Sequence, residues 1–328
     1  MVLIYTVITF ILVEGVLWIM GYRPYYNADY EVSSTPQNPY IADNTLGIQL
    51  NEGTYDFTLN NAVKFTATHL PNGQRFIPGA PAESQKNILF LGCSYTYGYG
   101  VNDHESYPAI AQTKHPDWKV ENVAVVGYGT AQHLLQLRNR LEKQPPSCVV
   151  LGLSSVHFIR TVLSEKYRAN LRIGYRRSSS DVDDRMNGAK FPFFDDCSGK
   201  VKYAPWQTLY SELPGRYWSA SINFVQGILE RNRETDCDPV EVTACIIQEM
   251  EALCQEKNIP FGVICLDTSP ETKALEKRLK DVQWKNIGFS FKKKKYTHLP
   301  HDSHPNALGH QKIAGSVIPF IENLLANE

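Results

Sequence analysis

The sequence predicts an α/β protein: a three-layer α/β/α sandwich built on a parallel, flavodoxin-like sheet, preceded by one N-terminal transmembrane helix. Three observations predict it. From about residue 86, short apolar runs alternate with helical stretches. Those runs are continuously apolar rather than alternating, as strands covered on both faces are. Residues 2 to 20 form an apolar segment unlike anything after it.

That first segment, VLIYTVITFILVEGVLWIM, is apolar except for Thr6, Thr9, Glu14 and Gly15. Nineteen residues at ~1.5 Å rise span about 28 Å, close to the ~30 Å hydrocarbon core of a bilayer. No basic stretch precedes it and no small-x-small site follows, so an uncleaved anchor over 1–22 is expected rather than a cleaved signal peptide. Glu14 is costly in lipid and is expected to be protonated or to face a partner helix. Arg23 follows the helix, which on the positive-inside rule weakly favours the cytoplasm for what comes next.

Residues 23–85 are rich in Pro, Asn, Tyr and Thr. They read as an irregular lead-in with short strands near 47–50 and 54–59. The strand-helix alternation then runs as follows: strand 87–92, helix 105–114, strand 118–126, helix 130–142, strand 147–153, helix 240–257, strand 260–266 and closing helix 306–326. Such alternation with right-handed crossovers gives a parallel sheet with helices on both faces. Residues 160–235 interrupt it and read as an insertion over the site, with helical pieces near 163–170 and 218–230. The domain proper is therefore 86–328.

Composition narrows the function. The chain has 328 residues, 43% hydrophobic, with net charge -1. A near-neutral chain has no field to gather nucleic acid, so no nucleic-acid partner is expected. The lysine run 292–295 reads as a solvated turn. Seven cysteines form no CxxC pair and no Cys/His zinc spacing, so neither a metal nor a cofactor is expected. Cys197 and Cys237 lie in polar segments and are candidates to pair outside the cytoplasm.

In doubly wound sheets, ligands sit beyond the carboxyl ends of the strands. After the first strand comes Gly92-Cys93-Ser94-Tyr95-Thr96-Tyr97-Gly98. A serine at a strand-to-helix turn can present its hydroxyl and its N–H to one cavity, as nucleophile and oxyanion donor. It can equally be an N-cap. After the second strand comes Gly127-Tyr128-Gly129-Thr130, where glycine lets backbone approach a ligand. Near the end comes His301-Asp302-Ser303-His304-Pro305-Asn306, an imidazole with a carboxylate two residues before it. That pair suits a general base and its orienting group. His301, His304 and His310 share no single-face spacing, which argues against a metal site.

Together these segments resemble the SGNH, or GDSL-like, hydrolases. Gly92-Cys93-Ser94-Tyr95-Thr96-Tyr97-Gly98 resembles block I, except that Cys93 replaces the usual aspartate. Gly127 is similar to the block II glycine, and His304-Pro305-Asn306 to block V. The lead-in, with Gly21-Tyr22-Arg23-Pro24, Asn44-Thr45-Leu46-Gly47 and Asn72-Gly73-Gln74-Arg75, is similar to membrane-anchored members. The resemblance implies the SGNH fold and a serine esterase of deacetylase type. In it Ser94 is the nucleophile, His304 the general base, Asp302 its orienting carboxylate, and the N–H groups of Ser94 and Gly127 form the oxyanion hole. It also implies a single-pass protein whose catalytic domain lies outside the cytoplasm, acting on a small-molecule, glycan or lipid ester.

Two further departures matter. Block III should carry an asparagine and an aspartate after the third strand; Val156 and His157 stand there, and valine donates no hydrogen bond. Ser154, Ser155, His157 and Arg160 are candidates to substitute, with His157 and Arg160 the candidate substrate contacts. The block V aspartate often lies three residues before the histidine, where this chain has His301. These departures leave open an O-acyltransferase acting on an extracellular glycan and a degenerate glycan- or lipid-binding member. Trp206, Tyr210, Tyr217 and Trp218 would suit a sugar face, or would pack the insertion onto the sheet.

Overall fold

The computed structural model describes residues 1–26, 30–178, 181–233 and 236–326, with backbone alone at 173 and 175–178. Helix α1 (Val2–Ile19) comes first. The lead-in holds β1 (Val32–Thr35), β2 (Tyr40–Asp43), β3 (Gly47–Leu50), β4 (Gly53–Leu59) and β5 (Val63–His69). Then follow β6 (Lys86–Gly92), α2 (Ser94–Tyr97), α3 (Tyr107–Lys114), β7 (Trp118–Asn122), α4 (Thr130–Lys143), β8 (Cys148–Leu153) and α5 (Val156–Thr161). The insertion contributes α6 (Glu165–Ser178), α7 (Val182–Arg185), β9 (Lys190–Phe193), β10 (Lys202–Pro205), α8 (Trp206–Leu209) and α9 (Ala220–Arg231). The chain closes with α10 (Pro239–Gln255), β11 (Phe261–Cys265), α11 (Pro270–Arg278), β12 (Gln283–Asn286) and α12 (Ala307–Ala326).

The central sheet runs β7-β6-β8-β11-β12, all parallel, which is the flavodoxin-like order. Alternate residues of each strand serve opposite faces. Leu89, Leu91, Val149 and Leu151 pack under α4 and α10, while Ile88, Phe90, Val120 and Val150 pack under α3 and α12. Both faces are apolar, which is why the strands read as continuous runs. β12 has no such run: Gln283-Trp284-Lys285-Asn286 is a polar edge strand largely open to solvent, so the apolar pattern misses it. The ladder of β7 stops at Asn122, four residues short of the expected end. The next residues still run beside β6, through Val123 N–H to Phe90 O and Val125 N–H to Gly92 O.

The lead-in is more regular than its composition suggests. β4 and β5 form a hairpin, with β1 added antiparallel, and β2 pairs with β3. Tyr55, Phe57 and Leu59 point into a core while Thr54, Asp56 and Thr58 point out, the period-2 pattern of a half-buried strand. The turn uses Asn60 and Asn61, both at positive φ (45° and 54°), a conformation asparagine tolerates. This core includes Tyr97, Tyr99 and Tyr128 from the α/β part, so the two parts share one apolar cluster.

In the insertion, Trp206 and Tyr210 are buried, which removes them from any sugar-binding face. Cys197 is disulfide-bonded to Cys245, not to Cys237. Cys245 lies well inside α10, with its Cα 5.5 Å from that of Cys197, whereas Cys237, half-buried, precedes the helix. The bridge ties the insertion to the helix layer of the sandwich.

The core has an acid-sensitive element. Burial holds His69 down at about 4, and His133 and His310 at about 3. His310 Nδ1 accepts the Tyr107 N–H (3.2 Å), so its neutral form is built into the packing of α3 on α12. Below about pH 6.5 the unfolded chain takes up protons on these imidazoles that the folded chain refuses. Stability is therefore complete above that value and declines as pH falls toward 4. Urea midpoints should be level near pH 7 and drop progressively between about 6.5 and 4. A flat midpoint across that window would contradict the assignment.

Candidate active site

Gly92 ends β6 directly opposite Gly152 of β8. A Cβ on either would lie within 2.0 or 2.2 Å of Thr96 Oγ1. Thr96 can therefore pack down on the strand ends only because both are glycine, and Tyr107 donates to its hydroxyl (2.8 Å). This tight turn makes Cys93 the N-cap and Ser94 the first residue of α2. The Ser94 hydroxyl makes no capping bond. Instead Ser94 Oγ lies 2.9 Å from His304 Nε2.

The remainder of α2 and its loop is fixed by Arg75. Its buried guanidinium donates to the carbonyls of Tyr97, Gly98 and Val101, each at 2.6 Å, and to Asp103 at 3.1 Å. Asn122 Nδ2 donates to Thr96 O (3.0 Å). The loop needs these donors because Gly98 (φ 89°) and Gly100 (φ 96°) turn its carbonyls inward, away from any helix or sheet.

His304 precedes α12. Its Nδ1 lies 2.7 Å from Asp302 Oδ1, and its own N–H donates to the same oxygen at 2.7 Å. The other carboxylate oxygen accepts the Tyr30 hydroxyl at 2.5 Å. Burial alone would raise the Asp302 pKa, but hydrogen bonds and charge from His304, with the Tyr30 bond, bring it down to about 2. Asp302 is thus a carboxylate at any working pH. Burial and the hydrogen bond to Asp302 push the Tyr30 phenol up, which keeps it a donor. Tyr95 and Tyr99 flank the imidazole with centroids 5.1 Å away, and Phe291 stacks on Tyr95. The loop behind is closed by Asn306, whose Nδ2 donates to the carbonyls of Lys295 and Thr297.

Gly127 adopts φ 89°, and its carbonyl accepts the Tyr167 hydroxyl at 2.5 Å. The Val125 bond to Gly92 O brings this segment alongside the Ser94 turn. A Cβ on Gly127 would meet only Tyr167 Oη, at 3.8 Å, so backbone conformation rather than space calls for glycine.

The substitutes expected for block III fare differently. Val156 begins α5, half-buried, and offers no donor. Ser155 N–H (3.0 Å) and Oγ (2.5 Å) are both taken by Asp267, just beyond β11. His157 is fully buried, with its ring 5.1 Å from that of His133. A side chain with no accessible surface cannot touch substrate, so the expectation for His157 is corrected: its place on α5 turns it into the core. Arg160, one turn on, is half-buried, donates to Tyr128 O (3.0 Å) and faces the Tyr167 ring. His301 is exposed and engages Asn60 through its carbonyl only.

Sequence reasoning missed Tyr30, which lies in a stretch with no pattern, and Asp267, which only the sheet order brings beside Ser155. It also gave Arg75 no task. A cavity of about 350 Å³ beside the Cys197–Cys245 disulfide contains none of Ser94, Asp302 and His304.

No family model matches the chain. No curated protein matches it. Among solved structures it is similar to a psychrotrophic esterase from Pseudoalteromonas sp., at 14% identity and TM-score 0.42, over 74% of this chain and 100% of that one. A putative lipolytic protein of the G-D-S-L family from Desulfitobacterium hafniense gives 10% identity and TM-score 0.40, over 72% and 99% of the two chains. A putative acylhydrolase from Bacteroides fragilis gives 14% and 0.39, over 76% and 92%.

Arg75 yields a direct prediction. Arg75→Met removes the cation paired with Asp103 and takes one donor from each of three buried carbonyls, an expected loss of about 3–5 kcal/mol in chemical denaturation. Arg75→Lys should recover only a small part, since an ammonium lacks the planar fork. A loss under about 1 kcal/mol for the methionine variant would refute the role.

Proposed function

We propose that the chain is a serine esterase of the SGNH type. The observation that carries the reading is the unbroken hydrogen-bond chain Ser94–His304–Asp302. A serine at a strand end, an imidazole within proton-transfer distance and a charged carboxylate on the far ring nitrogen are the parts acyl transfer needs.

In this mechanism Ser94 Oγ attacks the ester carbonyl while its proton passes to His304 Nε2. Asp302 holds the ring with Nδ1–H toward itself and stabilises the imidazolium that forms. The oxyanion of the tetrahedral intermediate is met by the N–H groups of Ser94 and Gly127. His304 returns the proton to the leaving alkoxide as the C–O bond breaks. Water, deprotonated by the same imidazole, then attacks the acyl-enzyme, releasing the acid and restoring Ser94. Val156 supplies no third donor, so the oxyanion hole rests on backbone alone.

The site is proposed to face outside the cytoplasm at the end of an α1 anchor. α1 is long and apolar enough to cross a membrane. The Cys197–Cys245 bridge fits an oxidising compartment. The Arg23 charge, which weighs the other way, is engaged at the helix end: Nη1 donates to the Trp18 (2.8 Å) and Tyr22 (2.7 Å) carbonyls.

The full chain in detergent should hydrolyse p-nitrophenyl acetate and take up a fluorophosphonate label that Ser94→Ala abolishes. Wild type that is demonstrably folded yet unlabelled and inactive would hand the site to the binding-protein reading. Adding sugar acceptors and analysing the products separates transfer from hydrolysis.

The relay itself gives a ranking. Asp302→Ala should lower kcat far more than His301→Ala. Tyr30→Phe should cost about 10- to 100-fold in kcat, since a hydrogen bond to a charged group contributes roughly 1.5–3 kcal/mol. Equal losses at 301 and 302 would overturn the assignment of the carboxylate.

A further inference from the structure

Helix α9 is turned inside out. Its inward face is polar: Gln226 donates to Ser211 O (2.9 Å) and accepts from Leu213 N–H (2.7 Å), and Glu230 pairs with Arg168 (2.9 Å) and Arg233 (3.0 Å). Its outward face carries Val225, Ile228 and Leu229, spaced three and four residues apart and all exposed. Trp218, just before the helix, is 87% exposed. A helix packed on a water-soluble domain has the reverse arrangement.

The neighbour of this face is α1. Glu14, the one charged residue within the apolar helix, accepts from Ser219 Oγ (2.8 Å) and from the N–H groups of Ala220 (2.7 Å) and Ser221 (2.9 Å). It thereby supplies the carboxylate at the N-terminus of α9, where free N–H groups and the helix dipole favour one. Trp18 Nε1 donates to Glu14 as well (3.0 Å). Tyr22 packs edge-on against Phe224 (4.8 Å), Tyr25 packs on Tyr217 (5.6 Å), and Asn223 donates to Arg23 O (3.0 Å). The partner expected for Glu14 is thus a helix of the insertion, joined by polar bonds and aromatic contacts.

Depth follows from arithmetic. Glu14 lies five residues before the end of α1, so at ~1.5 Å per residue the start of α9 sits about 7–8 Å inside that end. Amphipathic helices at a bilayer surface bury their apolar face by about 5–10 Å. Trp18, Tyr22 and Tyr25 lie in and after the last turn of α1, and Tyr217 and Trp218 just before α9, where aromatic residues collect at a membrane interface.

We propose that α9 is a second membrane element: it lies in the bilayer interface beside α1, with Trp218, Val225, Ile228 and Leu229 in the acyl-chain boundary. The occupant of the apolar face is lipid, because that face continues the exposed apolar surface of α1 and starts at a depth set by Glu14. The inference rests on the reading of α1 as a membrane anchor. Its consequence is a catalytic domain docked on the membrane at a fixed height rather than swinging on a tether.

The test uses the full chain in lipid nanodiscs, with Cys237→Ser so that labelling is confined to the introduced cysteine. Nitroxide labels are placed singly by Val225→Cys, Ile228→Cys and Leu229→Cys, with Ile8→Cys reporting on α1 and Gln255→Cys on the aqueous side. Thermal unfolding of each labelled protein confirms that it is folded. All three α9 labels should be severalfold more accessible to oxygen than to a water-soluble nickel chelate, like the label at 8 and opposite to that at 255. Nickel accessibility on α9 with lipid protection at 8 overturns the inference and leaves the anchor standing. Shielding from both reagents means that protein covers the face, which also overturns it. Nickel accessibility at 8 as well defeats the anchor reading itself. As a label-free check, Trp218→Phe should remove part of the tryptophan emission quenched by lipids brominated near the headgroup; no difference from wild type counts against the inference.

Discussion

The buried guanidinium of Arg75 is the constraint on which the site depends. The Ser94 turn must leave β6 abruptly, and it does so through positive-φ glycines at 98 and 100. Such a loop buries carbonyls that neither a helix nor a ladder can satisfy. Arg75 donates to three of them and to Asp103, and its own N–H reaches Asn122 O (2.9 Å) at the end of β7. One residue, through its side chain and its backbone, therefore joins the lead-in sheet, the Ser94 loop and the central sheet. Five donors in a rigid plane suit that task; an aliphatic side chain of equal volume does not.

The second convergence is on Asp302. A carboxylate this buried is stable as an anion only with several donors, and it receives them from His304 twice and from Tyr30 once. Because Tyr30 belongs to the lead-in, the residues before β6 reach the proposed chemistry at both ends of the relay: Arg75 behind Ser94, and Tyr30 behind Asp302. The lead-in is thus part of the site's framework.

The insertion carries the same logic outward. Its disulfide fixes it to α10, its polar face satisfies Gln226 and Glu230 internally, and Glu14 ties it to α1. A carboxylate in an apolar helix is costly unless donors meet it, and the start of α9 supplies them. The feature that looks anomalous in the sequence is a joint between two helices.

The sequence by itself determined the layer architecture. Continuous apolar strands and amphipathic helices can bury their surfaces in few ways, and the core residues of β6, β8 and β11 were legible for that reason. It also singled out Ser94, Asp302 and His304 as a set, through local motifs at element ends. Tertiary structure alone decided what depends on contacts between distant segments. The pairing of Cys197 with Cys245 follows from how the insertion folds back on α10. The burial of His157 follows from the side of α5 that meets α4. β12 forms because an edge is available beside β11, not because its residues are apolar. Tyr30 and Arg75 acquire their tasks because the lead-in hairpin packs on the tyrosines of the Ser94 loop. Local pattern encodes which surfaces must be hidden; which polar groups then meet across hundreds of residues is settled only when the chain closes.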